Sequence, residues 1–205
     1  MIDTTCTTID LLRHGEVLGG ACYRGSKDDP LTEKGWQQMA LVTAEKKWDV
    51  IISSPLCRCA DFAQHLSANF ITHDALKELH FGDWEGKTAE ELMQHSADAF
   101  SLFMQNPENH PPPNGEKISA FRHRVLSQWR KIINEHKSKH ILIINHGGTM
   151  RTIISHILNM PAKDMMRLYV PHASMSQVKI FHDNDNEKKK DYPSLVYHGK
   201  EANHA

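Results

Sequence analysis

Three short apolar runs limit what this chain can fold into: "TIDLL" at 8–12, "DVIISS" at 49–54 and "HILIIN" at 140–145. They are continuous rather than alternating and rich in isoleucine, leucine and valine, which suits strands covered on both faces of a parallel sheet. Segments with helical spacing lie between them. "LTEKGWQQMALVTAEKKW" has Thr32 as a plausible cap, and "PLCRCADFAQHLSANF" places Pro55 at a helix start, where a missing N–H costs nothing. The spans 88–105, 116–137 and 148–160 also read as helices, the last stopped by Pro161. Strands alternating with helices predict an α/β fold with right-handed crossovers. Further on, "SMSQVKIFHD" and "SLVYHG" read as two strands joined by a solvated loop, "NDNEKKKD". With 205 residues and 40% hydrophobic content, the chain can fill one core, so 1–205 is expected to be a single domain.

Several function classes fall away. A formal net charge of −1 gives no whole-protein field for nucleic acid or a membrane surface. No apolar run approaches the roughly 20 residues of a membrane span, and "MIDTTCTTIDLL" lacks the basic start and long apolar stretch of a secretory signal. A cytoplasmic location is the expectation. Cys6, Cys22, Cys57 and Cys59 form neither a disulfide framework nor a paired CxxC zinc pattern. His136 and His140 are four apart but lack HExxH-like partners, so no metal site is expected. Walker-type and GxGxxG patterns are absent.

The strand ends carry the chemistry. The first apolar run leads into Arg13-His14-Gly15, the second into Ser53-Ser54-Pro55 with Arg58 a turn beyond, and the third into Asn145-His146-Gly147-Gly148. Ligands of open parallel sheets bind outside the carboxyl ends of the strands, where the following helices also present free N–H groups to anions. Two arginines offer permanently charged forks for phosphate oxygens. A neutral histidine is a competent nucleophile toward phosphorus when an acceptor, such as a carbonyl of the adjoining glycine loop, holds its other ring nitrogen. Fixed cationic donors stabilise a phosphoryl group in transfer without a redox cofactor. The departing oxygen needs a proton, and "LKELHFGDWEGKT" offers Glu78, with Glu85 as its competitor. Trp36, Trp84 and Trp129 read as packing residues.

"LLRHGE" resembles the signature of the histidine phosphatase superfamily, the phosphoglycerate-mutase-like proteins. "PLTEKGWQQM", "ISSPLCRCADFA", "LKELHFGDWEGKT" and "IINHGGTMR" resemble further family segments in the family's order, over roughly residues 8–180. The resemblance implies a three-layer sandwich with a mostly parallel central sheet flanked by helices. It implies His14 as the nucleophile that becomes phosphohistidine, with Arg13, Arg58 and His146 around the phosphate and a contact from the Gly147 amide. Glu78 would be the proton donor that later activates water, and no cofactor or metal would be needed. Many relatives carry an asparagine six residues after the nucleophile, where this chain has Gly20. Arg24 stands in "YRG" where relatives have a polar residue before glycine, which implies a substrate contact.

Within the family, "YRGSKDDPLTEKG", "PPNGEKISAFRHRV" and "LNMPAKDMM" look most like the α-ribazole phosphatase branch, which removes the 5′-phosphate of α-ribazole phosphate during cobalamin nucleotide-loop assembly. The expected partner is thus a small phosphomonoester, with a homodimer as the candidate assembly. A broad-specificity phosphatase or phosphoglycerate mutase is the alternative, although true mutases of this family are longer. A non-catalytic phosphate-binding module is the reading from another class, and it would have no use for Glu78. Segments 17–27 and 106–116 are the ones expected to set specificity.

Overall fold

Each apolar run becomes a strand whose alternate side chains feed two separate cores. The computed structural model describes residues 5–183 and 190–201. Its strands are β1 (Thr5–Arg13), β2 (Val50–Ser53), β3 (Ile71–Thr72), β4 (His140–Asn145), β5 (Met175–Asp183) and β6 (Lys190–Lys200). They form a 6-stranded sheet in the order β3-β2-β4-β1-β5-β6. The pairs β3-β2, β2-β4 and β4-β1 are parallel, while β5 and β6 run antiparallel at the β1 edge. The sheet is mostly parallel as expected, and the two tail strands add an antiparallel C-terminal hairpin to its parallel half. The proposed loop "NDNEKKKD" lies, except at its end, outside the described residues.

The helices are α1 (Glu33–Thr43), α2 (Cys57–Leu66), α3 (Ala89–His95), α4 (Ala97–Gln105), α5 (Ile118–Glu135) and α6 (Gly147–Ile157). Ile9, Leu11, Ile141 and Ile143 point to the face covered by α5 and α6, where they meet Phe121, Val125, Trp129 and Ile153. Leu12, Leu142 and Ile144 point to the other face, against Met39 of α1 and Phe62 of α2. A period of two in a strand buried on both sides gives this result, and the outcome is three layers.

Local details depart from the sequence reading. The Thr32 hydroxyl accepts from the Gly35 amide and caps α1, but the helix stops at Thr43 instead of running on to Trp48. Glu45 follows with φ 62°, a left-handed turn that carries the chain back toward β2. Pro55 precedes the cap residue Leu56 and is not the first residue of α2. The span 88–105 divides into α3 and α4 at Ser96, where φ is −149°. That corner sets Phe100 and Phe103 against Trp84, with ring centroids 5.7 and 5.3 Å apart.

Register places the chemistry. Arg13 pairs with Asn145, and Ser53 pairs with Ile144, so β1, β2 and β4 end level with one another. Residues far apart in sequence thereby reach one edge of the sheet. No helix among the described residues is long and apolar enough to cross a membrane.

Candidate active site

A cavity of about 380 Å³ opens at that edge, and Arg13, His14, Arg24, Glu78 and Gly147 are in its wall. Gly15 lets β1 end there. A Cβ at Gly15 would overlap the backbone of Gly35 in the first turn of α1, so only glycine lets this helix abut the chain leaving β1. The His14 amide donates to the Asn145 carbonyl at 3.0 Å, and its own carbonyl accepts from Ala173 at 3.0 Å. The backbone of the histidine is clamped from both sides.

The His14 ring is clamped as well. Its Nδ1–H donates to the Gly15 carbonyl at 2.8 Å, which leaves the Nε2 lone pair free. Burial, with Arg13 and Arg58 nearby, holds its pKa well below the ordinary histidine value. The ring is therefore neutral at pH 7 and nucleophilic at one defined nitrogen.

Arg13 donates through Nη1 to the Val170 carbonyl at 2.6 Å and through Nη2 to His172 Nε2 at 2.9 Å. Its buried Nε has no partner among the described residues. Burial and the neighbouring charge of Arg151 lower its pKa to about 10, still cationic at neutral pH.

Arg58 and His146 stand behind His14, both 0% exposed. The His14 and His146 ring centroids are 5.2 Å apart. Arg58 donates from Nε to His146 Nδ1 at 3.3 Å, from Nη1 to the Lys27 carbonyl at 2.7 Å and from Nη2 to the Gly25 carbonyl at 3.0 Å. Since His146 Nδ1 accepts, its Nε2 carries the proton toward Ser54 Oγ at 2.8 Å. Burial and the Arg58 charge push the His146 pKa well below the ordinary value, so this ring is neutral too. Two of the three side chains that the resemblance places around the phosphate, Arg58 and His146, thus pack against the nucleophile and fasten the 25–27 loop, and neither is in the cavity wall.

The two candidate acids separate cleanly. Glu85 accepts from the backbone amides of Gly25, Ser26, Lys27 and Phe81. Burial would raise its pKa, but these four bonds outweigh it and hold the group below the usual carboxylate value. Glu85 is an anion that ties two loops together. Glu78 instead faces the cavity, where Oε2 accepts from the Gly148 amide at 2.9 Å. A Cβ on Gly148 would strike that carboxylate. From α5, Arg124 donates to the carbonyls of Ala75, Lys77 and Glu78 and pairs with Glu116, so the segment carrying Glu78 is fixed from below.

Arg24 lines the cavity, but its three nitrogens donate to Asp29, the Gly20 carbonyl and the Leu18 carbonyl. These bonds hold the 17–27 loop in shape while the residue keeps its place in the cavity wall. Other residues of that loop do line the cavity, Tyr23 among them. The 106–116 segment does not; it braces the turn at 80–85, with Asp83 donating to the Pro113 carbonyl at 3.0 Å and Glu116 to the His80 carbonyl at 2.9 Å.

Two further wall residues, Arg151 and His172, escaped the sequence reading. Arg151 follows Gly147 by one helical turn, a spacing that could have pointed to it. Nothing in "VPHAS" distinguishes His172. Beyond this polar end the cavity is apolar, with Phe81, Phe103, Met104, Phe121, Met165 and Met166 in its walls. Among the described residues, no group of three or more histidine, cysteine, aspartate or glutamate side chains could hold a metal ion.

The profile of the histidine phosphatase superfamily (branch 1) matches residues 9–190. The chain belongs to that superfamily. It is 29% identical over 184 residues to the adenosylcobalamin/alpha-ribazole phosphatase of Escherichia coli (strain K12), covering 83% of this chain and 88% of the relative. A Hydrogenobacter thermophilus protein named for phosphoserine phosphatase activity is 29% identical over 199 residues, covering 93% and 94%. The crystal structure of the alpha-ribazole phosphatase from Shigella flexneri superposes with a TM-score of 0.75 at 27% identity, covering 94% of this chain and 96% of that one. The fold is thus that of the phosphoglycerate-mutase-like histidine phosphatases, and a phosphoric monoester hydrolase is the activity class of this superfamily member.

Proposed function

We propose that the protein hydrolyses a phosphomonoester through a phosphohistidine on His14, and that its substrate is α-ribazole 5′-phosphate. The observation that carries this reading is the division of the cavity. Arg13, Arg151 and Glu78 gather around Gly147 and Gly148 beside His14, while Tyr23, Phe81 and Phe103 form a ring cluster in the same wall. A phosphate bound at the cationic end leaves its organic group against Tyr23, Phe81 and Phe103, a surface suited to a flat, apolar base.

The steps follow from the geometry. His14 Nε2 attacks phosphorus while its Nδ1–H stays on the Gly15 carbonyl. The N–P bond forms, the P–O bond to the alcohol breaks, and protonated Glu78 gives its proton to the departing oxygen. Arg13 and the amide end of α6 at Gly147 face the charge on the equatorial oxygens. A water then attacks phosphorus, Glu78 takes its proton, and the N–P bond breaks to regenerate neutral His14. Arg58 and His146 orient the nucleophile and the loop above it.

A phosphoserine phosphatase is the second reading, favoured by the likeness to the Hydrogenobacter thermophilus protein. Phosphoserine carries an ammonium and a carboxylate, and the aromatic cluster of Tyr23, Phe81 and Phe103 offers neither an ionic partner. Phosphate release from α-ribazole 5′-phosphate, L-phosphoserine, 3-phosphoglycerate and p-nitrophenyl phosphate, with a His14→Ala control, separates the readings. A kcat/KM for α-ribazole phosphate at least about 100-fold above the others supports ours; equal or better turnover of phosphoserine overturns the substrate. Labelled phosphate moved within 3-phosphoglycerate rather than to water would mark a mutase.

A further inference from the structure

We propose that Arg151 is a phosphoryl-binding residue that shares the substrate's phosphate oxygens with Arg13. This rests on the phosphatase reading above. Arg151 projects from the same side of α6 as Gly147, four residues earlier. A Cβ placed on Gly147 would lie 3.0 Å from Arg151 Nη1 and 3.5 Å from Arg13 Nε. The two guanidinium groups therefore flank one glycine at the wall of the cavity.

Their hydrogen bonding is complementary. Arg151 Nε donates to the Leu168 carbonyl at 2.9 Å, which fixes the plane of the fork and leaves both Nη groups to the cavity. Arg13 has both Nη groups engaged, while its buried Nε donor lacks a partner among the described residues. The unpartnered buried donor of Arg13 beside the fork of Arg151 defines a place for an oxyanion. Charge gives the same result. Both arginines are partly buried, and Arg13 is destabilised as a cation by burial and by Arg151. Glu78 is the one carboxylate among the described lining residues, and it already accepts from Gly148 and Leu79 amides. An arginine pair balanced by a single carboxylate favours a bound dianion over an empty cavity.

Binding of inorganic phosphate, measured by titration calorimetry, tests the assignment without requiring turnover. Arg151→Met should weaken phosphate binding about 10- to 100-fold, and Arg151→Lys should recover part of it by restoring charge. The kcat/KM of Arg151→Met should fall by a similar factor for p-nitrophenyl phosphate and for an aliphatic phosphate, because the phosphoryl group is common to both. If Arg151→Met does not fold, Arg151→Gln removes the charge with a polar side chain and is read in the same way. Phosphate affinity unchanged in the folded variant, with loss confined to one leaving group, overturns the proposal and leaves the phosphatase reading standing. A wild-type protein with no phosphate binding and no His14-dependent turnover overturns both.

Discussion

Arg13 Nη2 lies 2.9 Å from His172 Nε2, and the same guanidinium reaches the Val170 carbonyl at 2.6 Å through Nη1. His172 must accept that bond, so its own proton sits on Nδ1. Burial and the Arg13 charge push its pKa down to about 4, which keeps it an acceptor at neutral pH. His172→Ala frees half of the Arg13 fork and should lower kcat/KM for p-nitrophenyl phosphate about 10-fold, chiefly through KM. His172→Asn retains an acceptor and should regain most of the loss. An asparagine variant as poor as the alanine variant would show that the ring only fills space.

The pH dependence has a definite sign. His14, His146 and His172 are all less basic in the folded protein than in the unfolded chain, each chiefly through burial. Below pH 6.5 the unfolded state therefore binds more protons, and stability falls with pH. Each histidine contributes up to about 1.4 kcal/mol per pH unit across its window. For His172 that window runs from 6.5 down to about 4. Urea melts should show stability at its maximum above pH 6.5 and a steep decline between pH 6.5 and 5. The same shift means that titration of His14 does not set an acid limb near pH 6.5 in kcat/KM. A histidine-like limb at that pH would contradict the buried, neutral nucleophile.

Glu78→Gln should slow hydrolysis of an alkyl phosphate by about 10²- to 10⁴-fold and of p-nitrophenyl phosphate far less, because nitrophenolate leaves without protonation. Glu85→Gln, by contrast, weakens a carboxylate that holds four backbone amides of two loops. It should lower thermal stability and affect both substrates alike. Equal losses for the two leaving groups in Glu78→Gln would remove it from the acid role.

Gly15→Ala places a methyl against the Gly35 backbone and should cost about 3 kcal/mol or more, or prevent folding. Gly20→Asn is the contrasting case. Nothing lies within 4 Å of a Cβ there, and asparagine tolerates the positive φ of 76°. Its thermal midpoint should stay within a few degrees of wild type. A Gly15→Ala protein as stable as that one would contradict the close packing of α1 on the chain leaving β1.

The strand-end convergence was legible because "TIDLL", "VIIS" and "HILIIN" are unbroken apolar runs whose polar successors are abrupt. Thr32 was equally clear as a cap. Ser96 was not, because serine in a helical pattern looks like any tolerated polar position until Trp84 is seen drawing Phe100 and Phe103 around a corner. For Arg24, sequence cannot show that Asp29 and two carbonyls also hold its guanidinium. Arg151 and His172 were missed for the opposite reason: spacing names the residues at a strand end but not those that a helix or a returning loop brings over it. The choice between Glu78 and Glu85 likewise needed the backbone amides, which have no sequence signature.

A phosphohistidine on His14 is the central requirement of the proposed mechanism. Rapid acid-free quench of the enzyme with a ³²P-labelled phosphomonoester, followed by digestion and peptide mapping, should find base-stable, acid-labile phosphate on the peptide containing His14. Label should be absent from His14→Ala. Label on another residue, or rapid turnover in His14→Ala with no phosphoenzyme in either protein, would contradict it.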